Sequence, residues 1–207
     1  MEMSFAEDLK LFLPKYLSDI SYNKLINELK IFPENNDKYY FFYNENSILQ
    51  GDCLNIFFEE FKTQKKIIVV SNTCDISLEN DRIFTPNLLY CPLIKLNDYL
   101  NKIKEKSHCL SEKLLNEKVL SLKNSIEKQK ISSIIFFSKS KFSGLENKLE
   151  DDYIAILDRI SYIPLNKINI DKIKEYRMFS LGNYGFYLFL FKLSIHFTRI
   201  FERIDRV

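Results

Sequence analysis

Tryptophan is absent from this 207-residue chain, glycine occurs four times and histidine twice, and neither charge sign prevails. Each shortage excludes something. Thirty basic residues against twenty-eight acidic ones leave a net charge of +2, so no global field draws the protein to nucleic acid or membrane; any basic patch is local. The four cysteines, at 53, 74, 91 and 109, form no CxxC pair, and the histidines, 108 and 196, stand alone. That spacing supports neither a metal centre nor a disulfide framework, and no cofactor is expected. Cys53 and Cys91 lie in apolar runs as small hydrophobes, the pattern of reduced thiols in a cytoplasm. The N-terminus carries Glu2, Glu7 and Asp8 where a signal peptide would be basic and then apolar. The most apolar stretch, 186–201, is broken by Lys192, His196 and Arg199 and falls short of the roughly 20 residues a bilayer span needs.

What is present is a globular balance, 46% hydrophobic and 28% charged, in a length that suits one domain spanning 1–207. Residues 5–30 read as helical, with Tyr16, Leu17, Ile20, Leu25, Ile26 and Leu29 near one face and Pro14 at a helix start. A turn cluster at Pro33–Asp37 follows. Strands are predicted at Tyr39–Tyr43, within Ser47–Phe61 from Gly51-Asp52, at Lys66–Ser71, Leu88–Ile94, Ser133–Ser138 and Tyr153–Leu157. The β-branched run Ile67-Ile68-Val69-Val70 lacks alternation, which indicates a strand buried on both faces. Pro92 implies an edge or a bulge in its strand. Between the strands, Leu96–Lys130 has helical period and dense mixed charge, reading as two inserted helices with a solvated face. A short helix is predicted at Asp171–Tyr176. Gly182 and Gly185 flank the start of a final helix reaching about Arg203, apolar around nearly its whole circumference. Such a helix is buried by its own chain or by a partner.

The loop Ser71-Asn72-Thr73-Cys74-Asp75 ends the buried strand, where loops commonly carry function. Its plainer reading has Asn72 and Asp75 satisfying backbone donors and Cys74 packed inward. The basic run Lys62, Lys65, Lys66 either holds RNA phosphates or an acidic partner, or is a solvated hairpin loop.

In order and spacing these pieces resemble the MazF/PemK family of small CcdB-like barrels over residues 48–170. Gly51-Asp52 opens a strand; Lys65-Lys66 leads into Ile67–Asp75; Leu88–Ile94 follows; and Asp152-Tyr153-Ile154-Ala155-Ile156-Leu157-Asp158-Arg159-Ile160 matches the family's later strand. The resemblance implies an α+β fold: a small SH3-like antiparallel β-barrel over 38–170 with a helical insertion at 96–131, N-terminal helices at 1–37 and C-terminal helices at 171–207. Family toxins are metal-independent ribonucleases that use an Arg before the β-branched strand, usually followed by Pro, and a Ser or Thr after it. Thr73 matches the second element. Lys65 and Lys66 stand where the Arg belongs, and lysine lacks the planar fork that grips phosphate. Two expectations follow. One is a non-catalytic, cytoplasmic regulator in bacterial stress or antiviral defence, holding a sigma-like factor, a protease or an antitoxin through Ser71, Asn72, Cys74, Asp75, Phe191 and Phe197. The other is an endoribonuclease toxin acting on RNA through Lys65, Lys66 and Thr73. Neither engages a membrane, and a homodimer is compatible with both.

Overall fold

The computed structural model describes residues 39–58, 62–77, 79–107, 111–139 and 149–198. The N-terminal helical hairpin expected over 5–30, the turn at Pro33–Asp37, His108 and Cys109, and the last helix's expected extension past 198 lie outside the described residues. In chain order the elements are β1 (Tyr40–Phe41), β2 (Asp52–Phe58), β3 (Thr63–Val69), α1 (Thr73–Ile76), β4 (Asn87–Lys95), α2 (Leu96–Lys106), α3 (Glu112–Glu127), β5 (Ile134–Phe137), β6 (Tyr153–Ile156), β7 (Ser161–Pro164), α4 (Ile173–Tyr176), β8 (Arg177–Leu181) and α5 (Asn183–Thr198). All strand pairings are antiparallel, in the order β1-β8-β2-β3-β4-β6-β5, with β7 added on β4. The sheet curls until its ends approach. Tyr40 Oη at one end donates to Ser138 O beyond the other at 3.3 Å, and the Phe137 and Phe179 rings lie 6.1 Å apart. The fold is thus mixed α+β, with a curled, barrel-like antiparallel sheet.

Strand alternation assigns the faces. Cys53, Ile68, Val70, Cys91, Ala155 and Phe179 point to the inner side, where α5 lays Tyr184, Leu188, Phe189 and Leu193 against them. The all-round apolar helix is therefore covered largely by its own chain: Phe191 is buried, whereas Phe197 near the described end is 66% exposed. Leu54, Ile56, Phe58, Ile67, Val69 and Tyr90 face outward under the segment carrying Leu165, Ile168 and Ile173. A third core forms where α2 and α3 cover Ile134, Phe136 and Ile154 through Leu96, Leu100, Val119 and Ile126, residues at helical spacing in their own elements. The two inserted helices, the doubly buried strand and the short helix before Arg177 are where the sequence puts them.

Several expectations are corrected. β1 keeps only two residues of the predicted Tyr39–Tyr43 strand; the carbonyl of Tyr43, the last residue of that range, accepts instead from Arg177, as do those of Glu45 and Ser47 beyond it. Pro92 lies in a central strand, not an edge. β4 pairs with β3 on one side, while on the other it meets β7 up to Tyr90 and β6 from Leu93. Pro92 falls in the gap between those two outer partners, the place in a central strand where a missing N–H is tolerated. β7 and β8 were not predicted. Gly182 and Gly185 do flank the start of α5; a Cβ on Gly185 would lie 2.6 Å from Tyr39 O, so only glycine lets the helix approach the start of β1 this closely.

Candidate functional site

The 71–75 loop is built by hydrogen bonds that consume its side chains. The Ser71 hydroxyl accepts the Leu89 N–H at 2.7 Å and donates to Asn87 O at 3.3 Å, tying the end of β3 to β4. Asn72 Oδ1 accepts the Cys74 N–H at 2.9 Å and caps the single turn of α1, an element the polar sequence of 72–86 did not announce. Thr73 Oγ1 accepts the Gln50 N–H at 2.9 Å, and Gln50 Nε2 donates to Val70 O at 2.8 Å, so the loop also fastens the approach to β2. Cys74 is exposed, not packed inward; its carbonyl accepts from Asn80 Nδ2 and Arg82 Nη2. Asp75 caps no backbone donor among the described contacts; it faces Arg82 at 3.6 Å in an exposed pair, worth little in water.

The two lysines do not converge on this loop. Being adjacent on β3, they point to opposite faces. Lys65 Nζ lies 5.9 Å from the centroid of the outward Phe58 ring, and Lys66 Nζ lies 5.5 Å from that of the inward Tyr153. Thr73 follows the other end of β3, and Lys65 to Val69 alone spans about 13 Å of extended backbone. His196 lies on α5 against Phe197, ring centroids 5.2 Å apart. Among the described residues, no group of His, Cys, Asp or Glu is placed to hold a metal, and no helix is long and apolar enough to cross a membrane.

A second location gathers Lys65 with side chains far from it in sequence. Where β4 turns away at Pro92, a cleft of about 740 Å³ opens on the outer face of the sheet. It is lined by Phe58 and Lys65, by Tyr90 and Pro92 of β4, and by Arg159 of the β6–β7 connection with Tyr162 of β7. Tyr162 is 63% exposed, and both Asp158 and Arg159 are solvent-facing. Arg159 supplies a guanidinium near the β3 lysine, although it comes from a distant stretch of sequence. The four-residue pattern Ser161-Tyr162-Ile163-Pro164 was the available signal for β7, but it is too short to separate from a turn by period.

Beneath the sheet lies a buried ion pair. Arg177 is fully buried and donates to Asp52 Oδ2 from Nε at 3.1 Å and from Nη2 at 2.9 Å. Asp52 also accepts the Leu49 N–H and the Ser180 hydroxyl. Burial raises the Asp52 carboxyl above its ordinary range against the opposing pull of Arg177, Ser180 and Leu49. Burial likewise pushes the Cys91 thiol up to about 12, where it donates to Ile156 O at 3.1 Å and stays an inert packing group. Compared with known proteins, the chain matches no family model, no curated protein and no solved structure.

Proposed function

We propose that the protein is a non-catalytic binding module on a MazF-like, SH3-like barrel frame, which holds a protein partner. The role envisaged is that of a regulator in bacterial stress or antiviral defence, with a sigma-like factor, protease or antitoxin as the partner held inactive. One observation carries this reading. The hydroxyls of Ser71 and Thr73, the groups a ribonuclease would aim at its substrate, are engaged in joining β2, β3 and β4. Metal-free RNA cleavage needs an acid, a base and a cation converging within hydrogen-bond reach of one phosphate. Lys65 and Lys66 diverge from each other and stand at the far end of β3 from Thr73. The exposed Tyr162 and Arg159 of the outer cleft instead suit docking, since aromatic residues and arginine are the usual anchors of an interface.

The test is expression of the intact protein in bacteria beside a Thr73→Ala variant. The expected outcome is unimpaired growth, intact cellular RNA and recovery of the protein in a stoichiometric complex with one other polypeptide. Growth arrest with RNA cleavage that disappears in Thr73→Ala would overturn the proposal in favour of the toxin.

A further inference from the structure

Resting on the binding reading, we infer that a groove beside the loop between α1 and β4 receives the apolar face of a basic amphipathic helix of the partner. That loop is built inside out. Its polar side chains turn inward: Asn80 Nδ2 and Arg82 Nη2 donate to Cys74 O at 2.6 and 2.9 Å, and the Ser77 hydroxyl accepts the Glu79 N–H at 3.3 Å. Pro86 O accepts the Leu165 N–H at 2.9 Å and fixes the far end. Between these anchors Ile83 and Phe84 stand 94% and 83% exposed, more than any other large apolar side chain among the described residues. A braced loop that spends its polar groups on itself and holds two adjacent large apolar groups in water has the form of a docking anchor.

What docks follows from shape and charge. Ile83, Phe84, Leu165 and Ile170 line a groove of about 460 Å³. It adjoins the outer cleft, since Leu165 lines the one and its neighbour Pro164 the other. An apolar lining, with the Leu165 N–H already spent, suits a helix face and offers no template to an added strand. In this loop and the 165–172 segment the charges lean one way. Arg82 is committed to Cys74 O and to Asp75, Lys167 is already engaged, and the adjacent Asp171 and Lys172 are one charge of each sign. Glu79 and Asp81 remain, both exposed and without an ion pair among the described residues. Two carboxylates beside the apolar tip disfavour RNA and anionic lipid, and a two-fold contact with a second copy would set them against their own kind. Lysines or arginines flanking the apolar stripe of a helix complement them.

The probe is a fluorescein-labelled peptide of leucine and lysine at helical spacing, titrated by anisotropy. It is run beside its leucine–glutamate counterpart and a single-stranded RNA of the same length, while vesicles of phosphatidylcholine with phosphatidylglycerol are tested by co-sedimentation. Saturable binding of the Leu/Lys peptide is expected, weakened at least about tenfold by Ile83→Ser/Phe84→Ser. Both replaced side chains are exposed, so the melting temperature stays unchanged. Glu79→Lys/Asp81→Lys weakens the Leu/Lys peptide and strengthens its Leu/Glu counterpart. Equal or tighter binding of the Leu/Glu peptide or the RNA to wild type would overturn the inference. So would vesicle binding that disappears in Ile83→Ser/Phe84→Ser, undiminished binding of the Leu/Lys peptide by either double variant, or no binding at all. If a polypeptide partner co-purifies equally with wild type and Ile83→Ser/Phe84→Ser, the groove is wrong while the binding reading stands; RNA cleavage in cells would remove both.

Discussion

Two buried cations hold this molecule together, and they are solved in opposite ways. Arg177 has a counter-charge: its guanidinium spans Asp52 and the carbonyls of Tyr43, Glu45 and Ser47, and its Cζ lies 5.2 Å from the Tyr43 ring centroid. Lys192, on α5, is 3% exposed and meets only neutral oxygens: Gln129 Oε1 at 2.7 Å, Ile131 O at 3.0 Å and Ile134 O. Gln129 is itself unusual, with φ +55° and an amide that pairs with both the N–H and the C=O of Phe136 as a strand neighbour would. The arginine fork pins the β1–β2 loop to the base of the sheet, while the lysine latches α5 to the junction of α3 and β5. With no carboxylate beside it among the described residues, burial draws Lys192 down to about 7. An ionic partner offsets the burial of Arg177, whereas the latch at Lys192 rests on neutral oxygens and feels neutral pH.

The largest effect is expected at the clamp. Arg177→Met strands a buried carboxylate and three carbonyls, a loss of about 3–5 kcal/mol, read as a fall in the urea midpoint. Combining it with Asp52→Asn should cost less than the sum of the two single changes, because the stranded charge is gone. Simple addition of the two losses would mean that the pair does not act as a unit.

The latch should respond to pH. The folded-state pKa of Lys192 lies below its unfolded value, so between about 7 and the ordinary lysine range the unfolded chain binds more protons. Stability from this group therefore rises with pH across that window, and it is least where the buried amine must be charged. Urea midpoints at pH 7 and pH 9.5 should show the rise in wild type and its loss in Lys192→Met. That variant takes the donor from Ile134 O and a second donor from Gln129 Oε1 and Ile131 O, which keep the Phe136 and Ile134 N–H groups, at about 1–3 kcal/mol. A flat wild-type profile would mean that the three oxygens hold the ammonium as firmly as water does. Gln129→Ala is expected to cost about 1–2 kcal/mol and to overlap with Lys192→Met in a double-mutant cycle, since both groups meet at one oxygen.

Much of the architecture was legible in the sequence because burial writes a local pattern. Ile67–Val70 announced a strand buried on both faces, and the helical period of Leu96–Lys130 announced the two covering helices. What was not legible depends on pairing over long separations. Arg177 opens a five-residue strand, RMFSL, whose leading charge masks its burial; its partner Asp52 lies 125 residues away and was read only as a strand opening. Gln129 and Lys192 lie 63 residues apart, so no local pattern shows their contact. The loop Ser71–Asp75 stands out in the sequence as the polar end of a buried strand. Its small polar side chains fit a catalytic loop and a structural clasp equally well, and only the Gln50, Asn87 and Leu89 contacts tell them apart. The cleft was hidden for the same reason, since Lys65, Tyr90 and Arg159 meet only once β4 turns away at Pro92.

The claim that this loop is a clasp rather than a catalytic site is tested most directly with purified wild type and Thr73→Val, an exchange of hydroxyl for methyl. Each is melted and then incubated with total RNA. The clasp predicts RNA left intact by both proteins and a Thr73→Val melting temperature lower by about 2–4 °C, the shift of a lost hydrogen bond worth about 1 kcal/mol. RNA cleaved by wild type and spared by a Thr73→Val protein of unchanged melting temperature would contradict it.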